Sequence, residues 1–401
     1  MIRFTTAGES HGRALVAVLE GVPAGLAVAA EDIDRELRRR MMGHGRGARM
    51  KIEADRVELV SGVRAGETIG SPIAMLIPNR DWSNWADVMA PEPDAPSAPP
   101  RRRQVHRPRP GHVDLVGVLK YGRTDARDVL ERASARETAA RVACGAVGKL
   151  LLGAFGVEIG SHVVAIGGVE APVPATLPRP LNAAADASPV RCLADEATRD
   201  MVVAIDAAKR ARDTLGGVVE IVAFGLPVGL GSHVSWDRKL DGRLAGALMS
   251  IPAVKGVEIG LGFAAARHPG SEVHDAIRRG PAKEAGGFGR DTNRAGGTEA
   301  GITTGEPLAI RVAMKPIATL MRPLETVDLV TGKTSKAQAE RSDVTAVPAL
   351  GVIGEAMVAL VLADALVEKF GGDSLAELRA NVTQYLDGLA RRFTAESGAE
   401  E

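Results

Sequence analysis

The chain contains few cysteines and few aromatic residues. Among its 401 residues there are 2 Cys, 3 Trp, 2 Tyr and 7 Phe. Cys144 and Cys192 have neither a metal-binding nor a redox-motif spacing, which excludes a disulfide framework and a zinc site and favours a reducing compartment. With so few aromatic rings, the core is predicted to consist of Ala, Val, Leu and Ile. A planar ligand held between aromatic plates is not expected.

Net charge and long apolar runs are also missing. Lys+Arg and Asp+Glu number 50 each, so no net field attracts the molecule to nucleic acid or to a membrane. The amino terminus carries no apolar signal core, and no run reaches the ~18 apolar residues that span a bilayer, which predicts a cytoplasmic protein. No GxGxxG follows a strand to open a helix, so a Rossmann-type nucleotide site is not supported.

Positive charge is instead concentrated locally, in residues 38–51 and 101–109. The charged residues of these two stretches are Arg38, Arg39, Arg40, Arg46, Arg49 and Lys51, followed by Arg101, Arg102, Arg103, Arg107 and Arg109. A local cluster within a neutral protein suits a small anionic ligand better than a polyanion, which favours a broad basic surface.

The spacing of apolar residues predicts a mixture of helices and short strands. Helices are predicted where Ile33, Leu37 and Met41 recur, in the alanine-rich residues 126–155, and in the apolar stretch that begins at Pro348. Further helices are predicted in residues 196–215, 240–248 and 374–393, and strands in residues 2–6, 57–63, 73–77 and 218–224. This order is neither strictly alternating nor repetitive, which favours an α+β fold with antiparallel sheets packed on helices.

Three segments are predicted to lie outside the regular elements. Residues 83–105 and 165–195, both rich in proline, are predicted as surface loops, and residues 395–401 as a disordered tail. A long irregular stretch such as the first of these is more often functional or mobile than a passive connector.

Two histidines beside glycine, proline and arginine are the strongest candidates for chemistry. In GESHGRA, residues 8–14, glycines on both sides of His11 allow a sharp bend and the close approach of a ligand. In RPRPGHVD, residues 107–114, two prolines stiffen the backbone around His112, and Asp114 is near enough to orient the imidazole. An imidazole can donate to an anion and can change its charge near neutral pH. Taken alone, each histidine could equally be a turn residue or part of a solvated loop.

The motif RASARET, residues 132–138, is less specific. We place it in a helix, where Arg132 and Arg136 share a face and repel each other unless an acid or an anion lies between them. Glu131 or Glu137 could supply that acid from within the protein. The helix alone therefore does not distinguish a binding site from a solvated surface.

Four further motifs are weak evidence for a function when taken individually, but stronger evidence when taken together. They are MMGHGRGARMK at 41–51, NRAGGTEAG at 293–301, MKPIAT at 314–319 and RSDV at 341–344. Each alone would usually be a glycine turn or a surface ion pair. Chance matches to several separated motifs in one order are far rarer than any single match. With these motifs in this order, the sequence resembles the chorismate synthase family along nearly its whole length.

The resemblance implies one large domain, residues 1–401, folded as a β-α-β sandwich with antiparallel sheets around a helical layer. It implies a carbon–oxygen lyase of the shikimate pathway. The implied reaction is the 1,4-trans elimination of phosphate from 5-enolpyruvylshikimate 3-phosphate, giving chorismate, with reduced FMN required but no net redox change. Two carboxylates and a phosphate on the substrate, with the flavin phosphate, account for the arginine clusters, because guanidinium groups suit bidentate anion contacts. The resemblance also implies a homotetramer, NADPH as an indirect reductant and an external flavin reductase.

Roles carry over to individual residues of this sequence. His11 is implied to lie by the leaving phosphate, His112 near the pyrimidine edge of the flavin, and Asp343 near the flavin N5, which takes the C6 proton. Ser10 and Ser134 are implied to form hydrogen bonds around the flavin and the substrate.

The remaining implied positions bind anions or the flavin. Those that hold substrate anions are Arg40, Arg46 and Arg49, the first two also being linked with NADPH. Those that bind FMN are Arg132, Ala133, Ser134, Pro252, Ala253, Ala300, Lys315, Pro316, Ile317, Ala318, Thr319 and Arg341. The chain departs from the family pattern where Ala300 replaces a glycine, Ala318 a serine and Pro252 a residue with a free N–H. If position 300 needs a positive φ, alanine costs about 1 kcal/mol there.

Two other interpretations remain open on the sequence. A flavin-dependent oxidoreductase would consume NADPH stoichiometrically, whereas an elimination would not. A non-enzymatic binder of a phosphorylated ligand or RNA could use the loop at residues 101–109. Such a module needs a basic face and usually stacking aromatics, and few of either lie near that loop.

Overall fold

The structure, a computed structural model, describes residues 1–47, 54–94, 101–280, 286–340 and 342–394. The helices are α1 (Ala30–Met41), α2 (Ala86–Met89), α3 (Asp114–Tyr121), α4 (Arg127–Leu130), α5 (Thr138–Gly153), α6 (Leu181–Asp186), α7 (Asp195–Ala211), α8 (Leu240–Met249), α9 (Gly270–Val273), α10 (Val347–Phe370) and α11 (Leu375–Thr394). Short 3-10 helices lie at Trp82–Asn84, Ala135–Glu137, Trp236–Arg238 and Gly262–Arg267.

The strands are β1 (Arg3–Ala7), β2 (Ala14–Glu20), β3 (Glu58–Leu59), β4 (Val63–Arg64), β5 (Glu67–Thr68), β6 (Ile73–Pro78), β7 (Glu158–Ile166), β8 (Val169–Glu170), β9 (Gly217–Phe224), β10 (Val254–Ile259), β11 (Ile277–Arg279), β12 (Phe288–Arg290), β13 (Thr298–Glu299), β14 (Ile302–Thr303), β15 (Leu308–Met314), β16 (Glu325–Val327) and β17 (Thr334–Lys336).

The amino-terminal sheet has the strand order β1-β2-β6-β3, with every neighbouring pair antiparallel. Alternation of side chains gives it one buried face. In β2 the buried residues are Leu15, Ala17 and Leu19, and in β6 Ile73 and Ile77 point the same way. This sheet therefore needs a covering layer on one side.

A second antiparallel sheet has the order β10-β15-β9-β7-β8. Its strand β7 is buried along most of its length, because α10 and α6 both pack against it. Its sequence, EIGSHVVAI, accordingly lacks strict alternation, and it buries the polar Ser161 and His162 as well as apolar residues.

The helices α1, α5 and α10 form the layer between the sheets. α5 packs on β1, β2 and β6, whereas α10 packs on β7, β9 and β15, and the two helices contact each other extensively. Gly145 of α5 permits this contact, since an added Cβ would lie 2.3 Å from the Cβ of Ala356. The glycine that weakens α5 as an isolated helix thus allows close packing against α10.

α10 is long and apolar enough to cross a membrane by length and composition, with a mean hydropathy of 2.1 in its most apolar window. In this structure 83% of that window is buried inside the protein, as expected for a core helix. Its one acidic residue in the buried part, Glu355, is fully enclosed and contacts Arg39 of α1 and Lys149 of α5. An ionic cluster therefore joins the three helices of the middle layer.

The α+β architecture predicted from the sequence, with antiparallel sheets around a helical layer, is confirmed. Two local predictions are corrected. Residues 126–155 are not one helix, because the chain leaves helical geometry at Ser134 (φ −64°, ψ 144°). Residues 165–195 are not simply a surface loop, since they contain β8 and α6 and bury Leu181 and Arg191. Leu181 is buried as an apolar side chain, whereas the buried Arg191 is held by Glu355 at 3.0 Å.

The predicted loop at residues 83–105 begins with ordered turns. The 3-10 helix Trp82–Asn84 and helix α2 occupy its first part, and the buried Val88 anchors it. Residues 395–401, predicted as a tail, lie outside the described residues.

Candidate active site

His11 lies in the turn between β1 and β2, where its ring and its backbone contact one carboxylate. Its Nδ1 lies 2.9 Å from Oε2 of Glu131, and its backbone N–H donates to the same oxygen at 2.9 Å. The backbone N–H of Ser10 donates to the Glu131 carbonyl at 3.0 Å, and Arg132 donates to the Gly8 carbonyl at 3.2 Å. The motifs at 8–14 and 132–138 are therefore held directly together.

Glu131 is an ionised carboxylate enclosed by the protein, with 1% of its side chain exposed. Burial opposes ionisation, but hydrogen bonds from His11 and Arg127 outweigh it and lower the pKa of Glu131 below its ordinary value. Because this carboxylate accepts at Nδ1 of the imidazole, that nitrogen carries the proton. Nε2 is then the ring nitrogen available to a ligand.

His112 forms a second pair of the same kind, with Asp114 at the start of α3. Its Nδ1 lies 2.5 Å from Oδ1 of Asp114, which is fully buried. Arg109 donates to the same carboxylate through Nε at 2.8 Å. Burial again opposes ionisation, but hydrogen bonds from His112 and Arg109 hold the pKa of Asp114 well below its usual range. Asp114 thus orients the imidazole, as the two-residue spacing suggested.

Arg127 and Glu340 connect the two histidine–carboxylate pairs, which we call the dyads. Arg127 donates to Glu131 at 2.8 Å and to Glu340 at 2.9 Å. Arg109 lies 3.9 Å from the second oxygen of Glu340. A continuous series of charged contacts therefore runs from His11 through Glu131, Arg127, Glu340, Arg109 and Asp114 to His112. The two candidate histidines belong to one connected site.

The lowered pKa of Asp114 predicts a pH dependence of stability. A depressed carboxylate pKa adds stability above the unfolded-state value, about 3.9 for Asp, and this contribution is lost as the pH falls toward the folded-state value. We expect Asp114→Asn to lower the free energy of unfolding by about 1.5–3 kcal/mol at neutral pH. In urea titrations the difference in the free energy of unfolding between wild type and variant should become smaller below about pH 5. A difference that stays constant down to the lowest pH at which the protein folds would contradict a lowered pKa for Asp114.

The motif at residues 314–319 docks against the turn that carries His112. Oγ1 of Thr319 accepts from Arg109 at 2.7 Å, and Nζ of Lys315 donates to the Gly111 carbonyl at 2.5 Å. The backbone N–H of Lys315 donates to the Ala253 carbonyl at 2.9 Å. The Ile317 carbonyl, between Pro316 and Ala318, accepts from Oγ1 of Thr214 at 2.8 Å. The flavin-assigned residues 252–253 and 315–319 are thus neighbours.

Asp343 is tied to the basic segment at residues 41–47. Its Oδ2 lies 3.0 Å from Nη1 of Arg46, and its Oδ1 accepts the backbone N–H of Gly47 at 2.6 Å. The next residue, Val344, donates its N–H to the Gly45 carbonyl at 2.8 Å. The carboxyl-terminal motif and the first basic stretch therefore form one surface.

A small cavity lies beside Arg46. Its lining includes Arg40, Arg46, Ala135, Thr138, Pro252 and Met314. Arg40 is buried and donates to Oγ1 of Thr138 at 2.9 Å and to the Ala135 carbonyl at 2.8 Å, so it is fixed in the wall. Five segments distant in sequence converge on this cavity, the fifth being the start of α10.

The predicted helical face of Arg132 and Arg136 is wrong. Ser134 caps the 3-10 helix by accepting the N–H of Arg136 at 3.3 Å, and this cap ends the preceding helical turn. Arg132 is directed to the β1–β2 turn, whereas Arg136 is buried against Asp55 and Asn79. The two guanidinium groups have separate partners.

Two flavin-assigned alanines adopt left-handed backbone geometry, Ala253 with φ +69° and Ala300 with φ +49°. Strained backbone of this kind persists where the surrounding structure fixes it, which often marks a ligand site. Ala300 lies in the turn between β13 and β14, whose carbonyl at Gly301 accepts from the N–H of Leu240 at 2.9 Å.

The positive φ of Ala300 predicts that Ala300→Gly stabilises the protein. Removing the Cβ relieves a left-handed strain of about 1 kcal/mol, which should raise the free energy of unfolding by a similar amount. Ala207→Gly, in the middle of α7, is the matched control and should lower it by about 0.5–1 kcal/mol. Urea unfolding of the three proteins measures both effects. A loss of stability in Ala300→Gly would show that alanine does not strain the left-handed backbone at this position.

Arg49 and Arg341, two predicted anion-binding residues, lie outside the described residues. The structure adds Arg127 and Glu340, which the sequence analysis missed, and gives Glu131 a partner other than the arginines considered for it. The spacing of four residues between Arg127 and Glu131 is a sequence signal for their ion pair.

Comparisons with known proteins agree on one family. A family model described as chorismate synthase matches residues 2–367. The chorismate synthase of Thermobifida fusca (strain YX) is 56% identical over 397 residues, and that of Salinispora tropica is 58% identical over 397 residues. Both alignments cover 98% of this chain and 100% of the relative. A crystal structure of chorismate synthase is 43% identical, with a TM-score of 0.77, and the match covers 97% of this chain and 98% of that chain.

The fold is α+β, and its two linked histidine–carboxylate pairs are groups of the kind that acid–base catalysis uses. The full-length matches specify it further. The chain belongs to the chorismate synthase family, whose members are lyases that form chorismate in the shikimate pathway.

Proposed function

We propose that this chain converts 5-enolpyruvylshikimate 3-phosphate to chorismate and phosphate by a 1,4-trans elimination that requires reduced FMN without net redox change. The observation that carries the proposal is the pair of histidine–carboxylate dyads joined through Arg127 and Glu340. An elimination releases a leaving group at one carbon and removes a proton at another, so it benefits from acid–base groups at two points of one site.

His11 acts at the leaving phosphate. Its Nδ1 is engaged by Glu131, so Nε2 donates a proton or a hydrogen bond to the phosphate as the C–O bond breaks. The Glu131 carboxylate stabilises positive charge on the ring while the ring holds that proton. Ser10, the preceding residue, adds a hydrogen bond to the same ligand region.

The surroundings of Lys315 fit an anionic, planar cofactor. The ammonium group of Lys315 donates to the carbonyl of Gly111, whose positive φ of +77° favours glycine at this turn. The left-handed Ala253 beside it presents its peptide group without a bulky side chain. When bound there, reduced FMN supplies transient electron donation to the substrate and a nitrogen, N5, that takes the C6 proton.

The chain's own groups complete the proton transfers. Asp114 holds Nδ1 of His112, so Nε2 would be the ring nitrogen that faces the pyrimidine edge of a bound flavin. Asp343, fixed by Arg46 and Gly47, assists at N5. The other residues assigned to FMN are Arg132, Ala133, Ser134, Pro252, Ala300, Pro316, Ile317, Ala318, Thr319 and Arg341.

Arg46 and Arg49 hold substrate anions together with Arg40, whose buried contacts to Thr138 and Ala135 favour a supporting position in the wall. Bidentate guanidinium groups match carboxylate and phosphate oxygens. Arg40 and Arg46 are also the candidates for any NADPH contact. We further propose a cytoplasmic homotetramer that receives reduced flavin from an external, NADPH-dependent reductase.

The experiment that tests this function is an anaerobic assay of the purified protein with 5-enolpyruvylshikimate 3-phosphate and chemically reduced FMN. We expect chorismate, measured by its absorbance, to accumulate while the flavin remains reduced. Stoichiometric flavin oxidation would instead indicate an oxidoreductase. No turnover together with an RNA affinity that falls steeply with salt would indicate a binding protein.

A further inference from the structure

Trp85 lies face to face with the imidazole of His11. The ring centroids are 3.7 Å apart and the ring planes are inclined by 21°. The hydrogen bond from Nδ1 to Glu131 fixes one edge of the imidazole, but the terminal torsion of a histidine is soft. The stack fixes the plane of the ring. The two contacts together determine where Nε2 points.

Trp85 is itself held by the residues around it. Its Nε1 donates to Asp81 at 2.9 Å. The guanidinium carbon of Arg103 lies 4.1 Å from the centre of its ring and that of Arg127 5.2 Å, both within the range of cation–π attraction. Arg127 also binds Glu131, which binds His11. The four side chains of His11, Trp85, Arg127 and Glu131 form a closed set of contacts.

The segment that carries Trp85 is anchored at both ends. At its start, the N–H of Trp82 donates to the Asn79 carbonyl at 3.1 Å, and Nδ2 of Asn79 donates to the Gly12 carbonyl at 2.6 Å. Beyond α2, Arg101 donates to the carbonyls of Val88 at 3.1 Å and Ala90 at 2.9 Å. The segment is thus bonded to the turn of His11 itself, as expected for a wall of the site.

We propose that Trp85 is a positioning residue for His11, which holds the imidazole plane so that Nε2 faces the leaving phosphate. The inference rests on the proposed role of His11. Because Trp85 contacts the histidine and not the reacting atoms, it should affect the chemical step more than substrate binding. If Trp85 instead filled the substrate position, replacing it would lower KM for the substrate and leave kcat unchanged.

Kinetics of variants separate these roles. Trp85→Leu keeps apolar bulk but removes the flat ring, so we expect kcat to fall about ten- to a hundredfold, as for other small misplacements of a reacting group. KM for the substrate should stay within about twofold, because the anion-binding residues are untouched. Trp85→Phe restores a ring and should recover kcat to within about threefold of wild type. Trp236→Leu, at an exposed tryptophan outside this segment, is the matched control and should behave as wild type.

Fluorescence tests the stack without relying on activity. The sequence contains 3 Trp, so the double variant Trp82→Phe, Trp236→Phe leaves Trp85 as the sole indole. An imidazole stacked on an indole quenches its emission, whereas a leucine side chain does not. We expect the emission of this protein to rise when His11→Leu is added. This measurement also holds if Trp85→Leu fails to fold.

Several results would overturn the proposal. They are an unchanged emission on His11→Leu, a wild-type kcat in Trp85→Leu, a lower KM with unchanged kcat, or a Trp85→Phe variant as impaired as Trp85→Leu. If wild type forms no chorismate while the quenching is present, the proposed function fails and the positioning role fails with it. If wild type is active and Trp85→Leu is equally active, only the positioning role fails.

Discussion

Replacing His11 by alanine is expected to lower kcat for chorismate formation by about 10²-fold or more, while the protein remains folded. In the proposed mechanism this residue supplies the nitrogen that faces the leaving phosphate, and the described hydrogen bonds of the ring to Glu131 involve Nδ1 and not Nε2. Stability should fall by about 1–3 kcal/mol without preventing folding, because the mostly buried His11 side chain bonds the buried Glu131, which keeps Arg127 as a partner. Anaerobic turnover with reduced FMN, together with thermal unfolding, measures both.

Three companion variants make this prediction specific. His112→Ala, at the other end of the network, should show a loss of about the same size. Glu131→Gln keeps a hydrogen-bonding side chain but loses the charge, and we expect a smaller loss of about tenfold. His268→Ala removes an exposed histidine paired only with Glu272 among its described contacts and should be silent. Wild-type turnover in His11→Ala would remove this histidine from the mechanism.

Replacing Glu355 by alanine should lower the free energy of unfolding by about 3–5 kcal/mol. Glu355 is fully buried in α10 and accepts from Arg39 at 2.9 Å and from Arg191 at 3.0 Å, with Lys149 and Ser161 also bound. Burial opposes its ionisation, but the attraction of Lys149, Arg39 and Arg191 keeps the pKa of Glu355 well below its ordinary value. Its loss leaves buried cations without their shared counter-charge.

Glu368→Ala is the control for that effect, because Glu368 lies on the same helix at its exposed end. It pairs with Arg238 at 2.7 Å and Arg243 at 3.0 Å on the surface, where ion pairs contribute at most about 1 kcal/mol. Urea unfolding monitored by circular dichroism compares the two. Equal losses in Glu355→Ala and Glu368→Ala would show that the buried cluster does not stabilise the fold.

Local features of the fold could be predicted because they depend on periodicity. The helix that begins near Pro348 and the strand at residues 218–224 follow from apolar spacing and from the glycines that bound them. The break at Ser134 could not be predicted in this way, because it is set by a capping hydrogen bond that competes with helical propensity. The burial of Leu181 and Arg191 depends on tertiary packing, which the proline content of this stretch does not reveal.

In the candidate site, too, some contacts could be predicted from local spacing and others could not. The contact of His112 with Asp114 spans two residues and was visible in the motif. The contact of His11 with Glu131 spans 120 residues, and that of Arg127 with Glu340 spans 213, so neither is encoded in local spacing. Trp85 was part of a predicted loop with no role assigned. Only the fold reveals these partners, because it brings together turns from opposite ends of the chain.

The central claim is that His11 and His112 act on one bound substrate and flavin. A crystal structure with 5-enolpyruvylshikimate 3-phosphate and oxidised FMN, which cannot support turnover, tests it most directly. We expect Nε2 of His11 within about 2.6–3.2 Å of the substrate phosphate and Nε2 of His112 within the same range of the flavin ring. Density that places the substrate and flavin away from either histidine would contradict the account.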